Sequence, residues 1–197
     1  MRLLVGLGNP GDRYRATRHN LGRDAVLRIA SHFGLEEEGG RFRGRFGSGR
    51  VGARRILWLL PETFMNLSGG PVADAVRFHK LEPDQVIVFH DDLDLALGRV
   101  RIKRGGGNGG HNGLRSIQQT LGTGEFVRVR LGVGRPPERM EAADFVLSRF
   151  SPPEREQVER LLDDLPRGVP DLLEGNLAGA MNRLCNAPAA KAPALPE

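Results

Sequence analysis

The chain has a single cysteine, Cys185, so no internal disulfide can staple it. It also lacks any apolar run near the ~20 residues that a membrane-spanning helix requires. Its mean hydropathy is −0.34, and its N-terminus opens directly on a strand pattern with no secretory signal. These absences together point to a globular protein of the cytoplasm. No internal repeat is visible. Gly47-Ser48-Gly49 is not a nucleophile elbow, and no histidine or cysteine sits close enough to His19 to suggest a local metal pair. Lysine is scarce: Lys80, Lys103 and Lys191 are the only ones among 29 basic residues.

What is present is arginine, and it is segregated. Residues 1–60 hold 12 basic and 5 acidic side chains, and residues 101–140 hold 8 and 2. The intervening stretch and the last stretch are net acidic. Segregated positive charge suits a polyanionic partner; a composition biased to arginine is the plainer alternative. At 197 residues the chain is long enough for one domain with a substantial core.

Strand and helix patterns alternate, which predicts an α/β fold: a single domain with a twisted mixed β-sheet flanked by helices. Residues 2–7 read as a strand, and a helix capped near Asn20 follows. Glu36–Gly40 reads as a loop. Phe42–Val51 and Arg54–Leu60 read as a hairpin that makes the sheet mixed. The Arg41–Phe46 alternation suits either an RNA-binding edge or a half-buried strand. Ser68 reads as the N-cap of a helix with Pro71 in its first turn. Gln85–Phe89 is an apolar strand of the kind buried on both faces. Two further strands, Arg99–Lys103 and Phe126–Val133, flank a glycine-rich loop and a helix, and helical stretches close the chain. Residues 1–185 are expected to form the domain, and the Ala/Pro-rich 186–197 a disordered tail.

The first strand empties into Gly6-Leu7-Gly8-Asn9-Pro10-Gly11, and the loop beyond delivers Asn9 and His19 to the strand's carboxyl end, where open α/β sheets bind ligands. The glycines match a dinucleotide fingerprint, but that site needs a helix beginning within them, and Pro10-Gly11-Asp12 interrupts. Asp91 follows the most buried strand. A carboxylate there can accept a hydrogen bond from one nitrogen of His19 and leave the other free as a base. The cluster His90-Asp91-Asp92-Leu93-Asp94 also admits a magnesium reading. In Gly105–Gly113, glycines let backbone amides approach a ligand, and Asn112 reads as a helix cap or a substrate contact. Lys103, Arg128 and Arg130 on neighbouring strands could meet one phosphate. With no nucleophilic side chain indicated, a hydrolase built on these residues would use water, with His19 as its base.

These segments, together with Tyr14, Thr17-Arg18-His19-Asn20 and Thr63-Phe64-Met65-Asn66-Leu67-Ser68-Gly69, resemble bacterial peptidyl-tRNA hydrolase over residues 2–184. The resemblance implies cleavage of the ester joining a peptide to the 3′ end of tRNA, which recycles tRNA from stalled or aborted synthesis. It implies a cytoplasmic monomer without cofactor or metal. By resemblance His19 is the general base and Asp91 orients it. Asn9 contacts the peptidyl part, and Tyr14, Phe64, Asn66 and Asn112 line the substrate groove. Lys103 and Arg130 match a clamp for the tRNA 5′ phosphate. The alternatives are a catalytically silent RNA-binding protein and a nicotinamide oxidoreductase.

Overall fold

The structure, a computed structural model, describes residues 1–185; the expected tail at 186–197 lies outside them. Seven strands form one sheet in the order β2-β3-β4-β1-β5-β7-β6. In chain order they are β1 (Arg2–Gly6), β2 (Glu36–Arg41), β3 (Gly44–Val51), β4 (Arg54–Pro61), β5 (Val86–Asp92), β6 (Val100–Arg104) and β7 (Val127–Gly132). The central strands β4, β1, β5 and β7 are parallel. Antiparallel strands close both edges, so the sheet is mixed as expected.

The helices are α1 (Leu21–His32), α2 (Gly69–His79), α3 (Asn112–Leu121), α4 (Ala142–Leu147), α5 (Pro152–Asp164), α6 (Val169–Glu174) and α7 (Leu177–Cys185). Side chains of a strand alternate between the sheet's faces, so each central strand feeds two cores. Leu4, Ile87 and Phe89 pack with α1, α5 and α6 on one face. Leu3, Val5, Val86 and Val88 pack with α2 and α3 on the other. Burial on both faces explains why β5 reads as a nearly unbroken apolar run.

One close approach sets the entry to α1. A side chain on Gly22 would place its Cβ 2.1 Å from the Phe89 carbonyl oxygen, so only glycine lets α1 lie this near β5. Leu7 N–H donates to that carbonyl at 3.1 Å, and Arg23 N–H donates to Leu7 O at 2.9 Å. The backbone three residues before Gly22, which carries His19, is thereby held beside the ends of β1 and β5.

Several local expectations change. Glu36–Gly40 is not a loop but most of edge strand β2, with a register shift between Glu37 and Gly39. Its ladder to β3 is a backbone matter, so it needs no apolar side chains. Phe42 and Arg43 do not open the next strand; they form the hairpin turn, both at φ 52, as a two-residue type I′ connection requires. Ser68 is helical in conformation and caps nothing; its hydroxyl donates to Met65 O at 2.9 Å. The start of α2 is satisfied instead from α3, where Ser116 Oγ accepts from Gly69 N–H at 2.9 Å. Asn20 and Asn112 are not capping side chains either, and their real neighbours belong to the site.

Candidate active site

The loop after β1 is held by side-chain amides. Asn20 Oδ1 accepts from Asn9 N–H at 2.8 Å, and Asn20 Nδ2 donates to Asn9 O at 3.0 Å. Asn9 Oδ1 in turn accepts from Met65 N–H at 2.8 Å, tying this loop to the one leading into α2. The Asn9 NH₂ has no partner among the described residues. His19 lies in the single 3₁₀ turn Arg18–Asn20.

Asp91, at the end of β5, is buried and faces two imidazoles. His19 Nδ1 lies 3.0 Å from both carboxylate oxygens, and His111 Nε2 lies 3.0 Å from Oδ1. The tautomer of His111 follows from its other nitrogen. Nδ1 accepts from Gly113 N–H at 3.1 Å and Leu114 N–H at 3.3 Å, so it carries no proton, and Nε2–H donates to Asp91. His111, not Asn112, is the side-chain cap of α3. Burial on its own would raise the Asp91 pKa, but the His19 and His111 imidazoles hold the carboxyl far below its usual range. An ionised Asp91 fixes His19 with Nδ1–H donating, and Nε2 keeps its lone pair. Burial works to lower the His19 pKa, but the Asp91 charge and hydrogen bond outweigh it, and the net shift is upward.

His90 completes the cluster. Its Nδ1–H donates to Asp91 O at 2.8 Å, and its ring meets His111 edge-on, with centroids 5.1 Å apart. Full burial, with His111 nearby, depresses its pKa to about 3. It is therefore neutral at physiological pH.

The acidic cluster does not converge on one point. Asp91 is held by histidines, Asp92 accepts from Arg130 Nε at 2.6 Å, and Asp94 accepts from Arg135 at 2.6 Å. Among the described residues, the group that by donor type could take a metal ion is His19, Asp91 and His111, whose facing atoms lie within 4.8 Å of one another. In this structure hydrogen bonds already join those atoms. Gly6 and Gly8 serve packing, since a Cβ on Gly6 would meet Gly22 O at 2.7 Å, while Gly11 serves the turn with its φ of 94. The following helix begins ten residues beyond them, away from where a pyrophosphate would need it.

The basic side of the site is organised by the 105–113 loop. Arg128, only 1% exposed, does not face a phosphate. Its guanidinium donates to the carbonyls of Gly106, Gly107 and Gly124, which ties the glycine loop to β7. Gln118 adds a second tie to Gly106 O at 2.9 Å. Arg130 is paired with Asp92, and this raises its pKa. Lys103 is exposed, without an ion-pair partner among the described residues.

A cleft of about 350 Å³ joins the two halves; His19, Asp91, His111, Asn112, Lys103 and Arg130 line it, and α4 forms a side wall through Ala142, Ala143 and Val146. Asn9, Tyr14, Phe64 and Asn66 are not part of its lining. Asn9 is the buried brace described above, and Tyr14 carries the Arg13 guanidinium 4.4 Å from its ring centre. Phe64 is 52% exposed, and Asn66 is exposed beside it. Sequence reasoning did not count His111 among the site residues. Its signal was a histidine directly ahead of a regular helix, at the end of a glycine loop.

An ionised carboxylate holding an imidazole in one tautomer, in a cleft at the carboxyl ends of parallel strands, is an arrangement that a hydrolase of α/β fold can use. The comparisons with known proteins are specific. The peptidyl-tRNA hydrolase family model matches residues 3–192. The chain is 50% identical to the peptidyl-tRNA hydrolase of Paracoccus denitrificans over 97% of its own length and 79% of that protein. It is 52% identical to that of Geobacter metallireducens over 87% and 86%. The crystal structure of peptidyl-tRNA hydrolase from Acinetobacter baumannii superposes with a TM-score of 0.88 at 36% identity, covering 93% of this chain and 94% of that one. The chain belongs to the peptidyl-tRNA hydrolase family.

Proposed function

We propose that His19 is the general base with which this enzyme hydrolyses the ester between a peptide and the 3′ end of tRNA. The observation that carries this is the Asp91 carboxylate 3.0 Å from His19 Nδ1, which leaves Nε2 as the proton acceptor beside the cleft. Water attacks the ester carbonyl and gives its proton to Nε2. The tetrahedral intermediate then collapses, and the imidazolium returns that proton to the departing ribose oxygen. General-base assistance of this kind contributes roughly 10²–10⁴-fold. His111 adds a second hydrogen bond to Asp91 Oδ1, which helps hold the carboxylate in place beside His19.

Asn112, in the same cleft, offers amide donors to the developing oxyanion. In this reading Asn9 offers its free NH₂ to the peptidyl part, and Tyr14, Phe64 and Asn66 contact the substrate outside the cleft itself. Lys103 and Arg130 clamp the tRNA 5′ phosphate. In this reading the enzyme acts as a cytoplasmic monomer and needs no metal. No helix among the described residues is long and apolar enough to cross a membrane, which is consistent with that setting.

The test compares release of tRNA from N-acetyl-aminoacyl-tRNA and from unblocked aminoacyl-tRNA, for wild type and His19→Ala, with EDTA present. Cleavage of the blocked substrate alone, lost in His19→Ala, supports the reading. Cleavage that survives His19→Ala removes the base assignment. An inert wild type that still binds tRNA favours a silent RNA-binding protein.

A further inference from the structure

We propose that Arg18 is a positioning residue that locks the turn carrying His19 to the side wall of the cleft. Arg18 is only 4% exposed, yet it is a permanent cation next to the base in sequence. Its guanidinium lies between two rings, 4.2 Å from the centre of Phe145 and 4.8 Å from that of Phe150. Its two terminal nitrogens are engaged on the far side, while Nε is buried without a partner among the described residues. One nitrogen donates to Ser148 Oγ at 2.9 Å and to Arg149 O at 2.6 Å, and the other donates to Glu154 at 2.7 Å. The main chain adds a parallel tie, Arg18 N–H to Ser148 O at 3.1 Å, and Thr17 forms an isolated β-bridge with Arg149.

These contacts join two pieces of the site that have no covalent proximity. One is the Arg18–Asn20 turn, a single 3₁₀ turn in which any rotation of Arg18 also moves His19. The other is α4 with the segment after it. Phe145 is the buried residue of α4, and its helical neighbours Ala142, Ala143 and Val146 line the cleft. The guanidinium therefore sets the distance between the base and the wall against which a substrate would lie. A planar fork suits this task, because it stacks on both faces while donating at its edge; an ammonium can do only the second. Placement errors near 1 Å, transmitted from outside the reacting centre, cost about 10²-fold in rate.

The experiment uses Arg18→Met, Arg18→Lys and Glu154→Gln in the full chain, assayed on N-acetyl-aminoacyl-tRNA well below each variant's Tm, with the folded fraction checked by circular dichroism. Arg18→Met should lower kcat by at least 30-fold while KM changes by less than about threefold, since the phosphate-binding side is untouched. Arg18→Lys should behave like Arg18→Met, because charge without the planar fork does not restore the lock. Glu154→Gln keeps the stacked guanidinium and an acceptor oxygen, and should stay within about threefold of wild type. The acid limb of the pH profile should not move in any of them, because Asp91 still faces His19. A folded Arg18→Met with kcat within threefold of wild type overturns the proposal, as does a loss of activity that merely follows the loss of folded protein. The inference rests on His19 as the base, and the two failures differ: a wild-type profile without an acid limb removes the base, whereas an intact limb with unchanged kcat in Arg18→Met removes only the role of Arg18.

Discussion

Asp91→Asn is the sharpest perturbation of the site, because two histidines compete for the amide that results. His111 has no choice of tautomer: the amides of Gly113 and Leu114 occupy Nδ1, so Nε2–H must donate. The asparagine oxygen is therefore drawn to His111, and its NH₂ turns toward His19. His19 Nδ1, 3.0 Å from both positions, then meets a donor and an oxygen already accepting from His111, which shifts the proton toward Nε2, the atom that must accept from water in the proposed mechanism. The variant thus presents the wrong tautomer and also loses the charge that steadies the imidazolium. The full general-base contribution is at stake, so kcat on N-acetyl-aminoacyl-tRNA should fall by about 10³-fold, or about 4 kcal/mol of transition-state stabilisation. The acid limb should move with it. In wild type the Asp91 charge raises the His19 pKa above 6.5 despite burial, so activity is lost as pH drops through a value above 6.5. In Asp91→Asn only the lowering effect of burial remains, and the limb shifts below 6.5. Rates of purified variants measured between about pH 5 and 9 decide the matter. A kcat within threefold of wild type, or a limb that stays in place, would refute the tautomer reasoning.

Three other outcomes follow from the same geometry. His90 is buried neutral with a pKa near 3 instead of 6.5, so its contribution to stability is complete above pH 6.5 and drains away as pH falls toward 3, on the order of 5 kcal/mol in total; urea unfolding of His90→Phe should show a shallower loss across that window. Gly22→Ala drives a methyl into the Phe89 carbonyl and should cost about 3 kcal/mol, a fall in Tm of roughly 6–12 °C by calorimetry. Lys103→Ala should weaken tRNA binding and lower the salt slope of log K by about one; Arg130→Ala should weaken it further, because it also leaves Asp92 unpaired inside the anion site. Unchanged salt slopes in both variants would sink the clamp.

Much of this was legible in the residues, for reasons that can be named. Burial on both faces writes itself into β5 as an unbroken apolar run, and a glycine turn after an apolar strand marks where a ligand site can form. His19 and Asp91 were paired because each ends such a strand or its loop. Strand β2 was not legible, since an edge strand is specified by its partner's backbone and not by Glu36-Glu37-Glu38-Gly39-Gly40. Helix caps were misassigned in the same way. Asn20, Ser68 and Asn112 are good capping residues by type, but Asn20 bonds the Asn9 backbone, Ser68 turns back to Met65 O, and His111, one position earlier, caps α3. Arg128 misled because a sequence cannot show that three carbonyls, from Gly106, Gly107 and Gly124, will surround a charge. Where the partner is distant in the chain, as for Asn20 with Asn9 and Arg128 with Gly106 and Gly107, no local pattern reports it.

The Arg130–Asp92 pair gives the proposed clamp an unusual property: it contains its own competitor. Asp92 already holds Arg130 Nε at 2.6 Å, so a phosphate that reaches the remaining guanidinium N–H groups shares the arginine with a carboxylate and meets its repulsion. A stray inorganic phosphate, gripping weakly and once, has small advantage over Asp92. A tRNA that also reaches Lys103 and fills the cleft at His19 has several. When the ester is cut and the peptide leaves, the hold in the cleft at His19 is lost while Lys103 remains, and the Asp92 charge then weighs more against the phosphate. In the proposed clamp, the pair therefore sets complete substrates apart from isolated phosphates.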